Sequence, residues 1–141
     1  MRRAAPSRRR AVAIADNLTN TGENLALDWI LGVGTPSRPA TPLKVALVTA
    51  NGSDTANGTE VAGGSYARKN LSVAAAVNGA TSNSADLVWT GMPATTVVGV
   101  EVWDSASTPV RLWYGPLTAS RTVAAGDELR LPAGSLTFTM S

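Results

Sequence analysis

Four acids, Glu101, Asp104, Asp127 and Glu128, are the residues most able to do acid–base chemistry. Paired carboxylates can act as general acid and as nucleophile or base in glycoside hydrolysis. Each of these four lies at the end of an apolar run or in a turn, where solvated acids and turn formers are the norm. The 141 residues include no histidine and no cysteine. That removes the commonest general base and metal ligand, together with every Ser-His-Asp or Cys-His nucleophile. No catalytic residue is assigned, and a non-enzymatic protein is expected.

A second group of oxygens recurs every three residues: Asn51, Asp54, Asn57 and Glu60. Such a set could gather Ca²⁺, but its spacing misses that of the twelve-residue calcium loop. The set lies in a stretch, Ala50 to Gly64, that is rich in Gly and Asn and holds no apolar run. Loops of that length are usually functional or mobile. The sequence therefore marks it as an outward loop with no metal and no cofactor. Gly63-Gly64 lacks the following Gly-Lys-Ser/Thr of a phosphate loop.

The third group is cationic. Arg2, Arg3, Arg8, Arg9 and Arg10 lie within the first ten residues. The formal charge of +2 thus hides an asymmetry: seven of the twelve basic residues and all ten acidic ones lie after residue 10. Clustered arginines bind phosphates and bind carboxylates on acidic proteins through bidentate contacts. No basic stripe or aromatic platform accompanies them, so protein contact is expected over nucleic acid. Residues 1–15 are read as a basic extended arm, which has too few apolar residues to build a core. Ala11 to Ala15 are apolar but too few for a secretory segment. No run reaches the ~20 apolar residues of a membrane helix, so no membrane partner is expected.

Residues 16–141 are read as a single β-rich domain. Leu25, Ala26, Trp29 and Ile30 form an apolar stripe at helical spacing, which predicts one helix over about 17–31 with Trp29 in the core. Asp16, Asn17 or Asn20 with Glu23 can cap its start, and Gly32, Gly34 and Pro36 its end. From about residue 43 onward the chain alternates short apolar runs with turns. Leu43–Thr49, Tyr66–Ala74, Leu87–Thr90, Thr95–Trp103, Arg111–Tyr114, Arg121–Val123, Glu128–Leu131 and Leu136–Met140 are the strand candidates. In the fourth, Val98, Val100 and Val102 share one face. In the fifth, Gly115-Pro116 ends the strand. In the last, Leu136, Phe138 and Met140 point inward. About seven or eight strands of this kind predict an antiparallel β-sandwich or partly closed barrel, with the helix over one edge or end. Charged residues make up only 16%, against about 25% in soluble domains. A surface rich in small residues suits close contact with neighbouring subunits.

Several stretches are similar to a known kind of protein. Leu43-Lys44-Val45-Ala46-Leu47-Val48-Thr49 precedes Gly-Thr-Glu-Val-Ala-Gly-Gly-Ser-Tyr-Ala-Arg, Gly58 to Arg68. Later come Trp113-Tyr114-Gly115-Pro116-Leu117-Thr118, Val123-Ala124-Ala125-Gly126-Asp127 and Pro132-Ala133-Gly134-Ser135-Leu136-Thr137. With the preceding helix, roughly residues 18–141, this resembles small virion proteins of tailed bacteriophages: those called phage tail fibre proteins, and the minor capsid or decoration proteins of the head. The resemblance implies a structural component made in the host cytoplasm and built into the virion, with no catalytic residues. The expected partners are the major capsid protein or tail proteins, and the expected assembly is a homo-trimer. The arm on an acidic domain favours decoration of the capsid surface. The alternative is a tail-fibre or adhesion module, with loop 50–64 and Trp103 or Trp113 turned to the host.

Overall fold

The computed structural model of the chain describes residues 13–14 and 17–140. Eleven strands and one helix follow in the order β1 (Ala13–Ile14), β2 (Asn17–Leu18), α1 (Asn20–Leu31), β3 (Leu43–Ala50), β4 (Thr59–Glu60), β5 (Lys69–Leu71), β6 (Ala80–Ser82), β7 (Leu87–Trp89), β8 (Thr95–Trp103), β9 (Arg111–Val123), β10 (Leu129–Leu131) and β11 (Leu136–Thr139). The fold is mainly β and sandwich-like, and the strands do not close into a barrel. One sheet runs β4-β3-β8-β9-β1-β11-β6, with β5 also on β3 and β2 also on β9, and a smaller sheet pairs β10 with β7. The strands beyond the expected eight are two- and three-residue pieces whose pairing, not their sequence, defines them. One of them, Ala13–Ile14, lies within the segment read as an arm. It pairs parallel to β11 and antiparallel to β9.

Apolar burial joins the two sheets. Leu87, Trp89, Leu129 and Leu131 of the small sheet share one core with Val45, Leu47, Val97, Val100, Val102, Leu136 and Phe138 of the large one. β3 and β8 form its centre, paired antiparallel from Lys44↔Trp103 to Val48↔Gly99. Ala46 and Val48, on the other face of β3, are buried as well, as expected of a strand covered on both sides.

The structure departs from the sequence expectation at three places in the strands. Val98 does not join Val100 and Val102 in the core; Val97 does. The register shifts by three residues between Val97↔Arg121 and Gly99↔Pro116, the extra residues lying on β9, and such irregularities re-aim the side chains beside them. Gly115-Pro116 does not end a strand either, because β9 runs from Arg111 through to Val123. Pro116 stands at the same register shift, opposite Gly99, where a missing N–H is tolerated. Finally, Met140 is half exposed while Leu136 and Phe138 are buried, since β11 stops at Thr139.

The helix starts at Asn20, three residues later than expected, because Thr19 is its cap. Thr19 Oγ1 accepts from Gly22 N–H at 3.1 Å and donates to the Arg111 carbonyl at 2.8 Å. The Thr19 N–H donates to the Leu112 carbonyl at 2.9 Å. Gly22 then lies so close to β9 that a Cβ there would sit 2.7 Å from Leu112 O. At the far end Gly32, in the left-handed region, closes the helix on Asp28 O, as its type predicts. The helix is thus pinned by its first turn. Trp29, expected in the core, is instead largely exposed, because the stripe it belongs to leaves the sheet after Gly22.

Candidate binding surface

Loop 51–58 contains three of the four oxygen-bearing residues, and these lie on the surface but are bound from within. The centre of the arrangement is Arg111, the first residue of β9, whose side chain is 5% exposed. Its Nε donates to Asn57 Oδ1 at 3.1 Å, and its Nη2 donates to the carbonyls of Ala56, at 2.9 Å, and Ser53. Its Nη1 faces Glu101 Oε2 at 3.5 Å, and Glu101 is itself buried. That same carboxylate oxygen accepts from Gly58 N–H at 2.7 Å. One guanidinium therefore does for the loop what a strand partner would do: it satisfies carbonyls that the turn leaves open. Tyr114, two residues along the register from Leu112, donates its hydroxyl to Asp54. That bond pushes the Tyr114 pKa up to about 12, with some help from desolvation. The Asp54 carbonyl accepts from Asn20 N–H, tying the loop to the helix start. Asn51 packs its amide against Gly99, where a Cβ would collide with it.

Glu60, the fourth residue of the set, belongs to a separate cluster on β4. Arg68 clasps its carboxylate with two hydrogen bonds, 3.0 Å from Nε and 2.8 Å from Nη2. Tyr66 donates to the same carboxylate at 2.7 Å and accepts from the Leu47 N–H at 2.9 Å. Burial pushes the Glu60 carboxyl up, but the bonds from Arg68 and Tyr66 and the Arg68 charge outweigh it, so its pKa ends below the ordinary value. Burial and the bond to Glu60 hold the Tyr66 phenol well above its ordinary range. The Arg68 guanidinium lies over the Trp103 ring, 4.3 Å from its centroid. Trp103, one of the two tryptophans considered for a receptor, thus has a ring face already covered. The other, Trp113, meets Phe138 edge-on at 5.4 Å and packs against the core.

The structure does not bring the four loop residues to one point. Asn57 serves Arg111, Asp54 serves Tyr114, and Glu60 serves Arg68 and Tyr66. Among the described residues no three Asp or Glu side chains are placed to hold a metal ion. Glu101, read as a solvated acid at a strand end, is corrected to a buried ion-pair partner in the middle of the sheet. The five arginines Arg2, Arg3, Arg8, Arg9 and Arg10 lie outside the described residues. Arg111, Tyr66 and Thr19 were not singled out from sequence. The available signal was a charge beside apolar strand text, Arg111 before Leu112-Trp113 and Glu101 between two valines; charges in such places are almost never buried unless paired.

The apolar surface lies elsewhere. Beyond Gly22 the helix stands away from the sheet and leaves a trough of about 600 Å³ lined by Leu25, Trp29, Pro39, Leu43 and Trp113, among others. A second hollow of about 460 Å³ adjoins it, reaching Leu27 and Met140. No described helix is long and apolar enough to cross a membrane.

The chain is thus a sandwich-like β domain whose polar clusters are largely paired within it, with an anchored loop and an open apolar flank. Residues 17–139 match the model of the Gp80 family, podophage GP4 fiber I protein gp80, and the chain belongs to that family. It is accordingly a structural component of a bacteriophage. No curated protein matches the chain.

Proposed function

We propose that the chain is a non-enzymatic building block of a podophage tail fibre, working as a symmetric homo-oligomer joined to other tail proteins. The observation that carries this reading is the family match over residues 17–139, which spans the helix and nearly every strand. The geometry agrees with a building role. Glu101, Asp104 and Asp127 and the loop residues Asp54, Asn57 and Glu60 are bonded within the chain, while a broad apolar flank is left for contact. Electron microscopy of phage particles labelled with gold-tagged antibody to this chain tests the placement. Gold along the tail fibres is expected. Gold spread over the head would replace this reading with capsid decoration, which the arginine-rich first ten residues favour on charge alone.

A further inference from the structure

We infer that the apolar flank of α1 is the surface through which copies of this chain assemble, with one copy's outer leucine row seated in the trough of the next. This deepens the oligomer part of the proposed function and does not depend on where in the virion the chain lies.

At 100° per residue, Leu25 and Trp29 form one row and Leu27 and Leu31 another, about 200° around the helix. The first row lines the trough between helix and sheet. The second row lies on the far side of the helix from the trough, with Leu27 at the edge of the adjoining hollow, and continues into Val33 just past the cap. Leu27, Trp29, Ile30, Leu31 and Val33 are between 55% and 70% exposed. Together they leave roughly 600 Å² of apolar side chain in water, at the upper end of what a monomer tolerates without a partner.

A second copy suits this surface because it carries both halves of the fit. The outer row is convex and the trough concave, and the two face different ways on one molecule. Such a contact is head-to-tail: it repeats from copy to copy and closes into a ring or runs on as a filament. Charge agrees with the fit. Arg38 stands on the rim of the trough, and Asp28 flanks the outer row with no basic residue in the last helical turn. Neither forms an ion pair with a described residue of its own chain. Seating the row in the trough brings Asp28 of one copy towards Arg38 of the next.

Light scattering on the full chain, eluting from a sizing column over a range of concentrations, reads the assembly directly. The native chain is expected to run as a multiple of 14.5 kDa. Leu27→Glu with Leu31→Glu removes the convex half, and Trp29→Glu in a separate chain spoils the concave half. Each is expected to raise the dissociation constant at least about tenfold, as loss of a central apolar anchor does, with circular dichroism unchanged. Mixed together, the two variants still hold one good row and one good trough between them. They should form a capped heterodimer that neither forms alone. Arg38→Glu should weaken assembly, and Asp28→Lys in the same chain should restore it.

If the mixture stays monomeric while the native chain assembles, the head-to-tail fit is wrong. If both variants assemble like the native chain, copies join elsewhere, and this surface fails while the oligomer reading stands. A native chain that stays monomeric at every concentration overturns both.

Discussion

The loop at residues 51–58 and the flank of α1 invert what their compositions suggest. The loop is polar and glycine-rich, the text of a free surface segment, yet Arg111, Glu101 and Tyr114 hold it from beneath. The helix flank is apolar, the text of a core element, yet it stands in solvent. The difference lies in where each finds partners. Backbone groups of the loop must be satisfied wherever they are buried, and a planar guanidinium with five donors can reach several of them at once. The helix has one close approach, at Gly22, and the angle set there carries its remaining turns off the sheet. Apolar periodicity reports which residues want cover; it does not say whether the cover comes from the same chain.

Substitutions can break this contrast in a graded way. The largest effect is expected from Arg111→Met. It leaves the Glu101 carboxylate buried without its cation and removes the donors to Ser53, Ala56 and Asn57. Breaking one side of a buried ion pair costs about 3–5 kcal/mol, measurable as a fall in the urea midpoint. Adding Glu101→Gln should recover part of that loss; no recovery would mean the loop contacts, not the ion pair, hold the energy. Gly99→Ala comes next. Its Cβ would collide with Asn51 and sit 2.8 Å from Gly115 O. Such crowding costs about 1–3 kcal/mol, and Asn51→Ala in the same chain should relieve part of it.

Thr19→Ala removes the cap that fastens the helix to β9, at a cost of about 1–2 kcal/mol. It should also raise amide exchange in the first helical turn before any change in the core strands. A smaller effect is expected from acid at Glu60. The folded state binds a proton there less readily than the unfolded chain does, since the carboxyl is held below its ordinary value of 4.5. Its stabilisation is therefore full at neutral pH and lost as pH falls through the lowered value. Glu60 is partly exposed, so solvent screening keeps this to less than about 1 kcal/mol. Glu60→Gln should flatten that part of the acid titration of stability. The smallest effect on folding is expected at the flank. Trp29→Gln should leave the unfolding free energy in urea within about 0.5 kcal/mol of the native chain, as exposed positions do. The contrast is sharpest if that same change alters solubility or assembly.

Much of the fold was legible in the sequence because its signals are local. Leu43–Thr49 and Thr95–Trp103 alternate or run apolar with β-branched residues, and they became the central pair β3 and β8. Gly32 closed the helix where its type predicted. The errors came from pairing. A register shift at Val97–Gly99 leaves Val97 inward and Val98 out, and nothing in Val-Val-Gly-Val marks where that shift falls. Pro116 reads as a stop, yet it sits where the ladder to β8 shifts register, opposite Gly99. The candidate site was less legible. Loop residues Asn51, Asp54, Asn57 and Glu60 stood out by their spacing, but their partners Gly99, Tyr114, Arg111 and Arg68 come from later in the chain. Only the folded register brings them together. Trp29 was placed in the core by period alone, since periodicity cannot see the angle at which a helix leaves a sheet.

The α1 flank is proposed to be covered by a second copy, while the loop is held by its own chain. A density map of the assembled virion at side-chain detail tests this most directly. It should show Leu27 and Leu31 of one copy buried against Leu25, Trp29 and Leu43 of a neighbour, with loop 51–58 still clasped by Arg111. Copies in contact through other surfaces, with the α1 flank open to solvent or covered by a different protein, would contradict it.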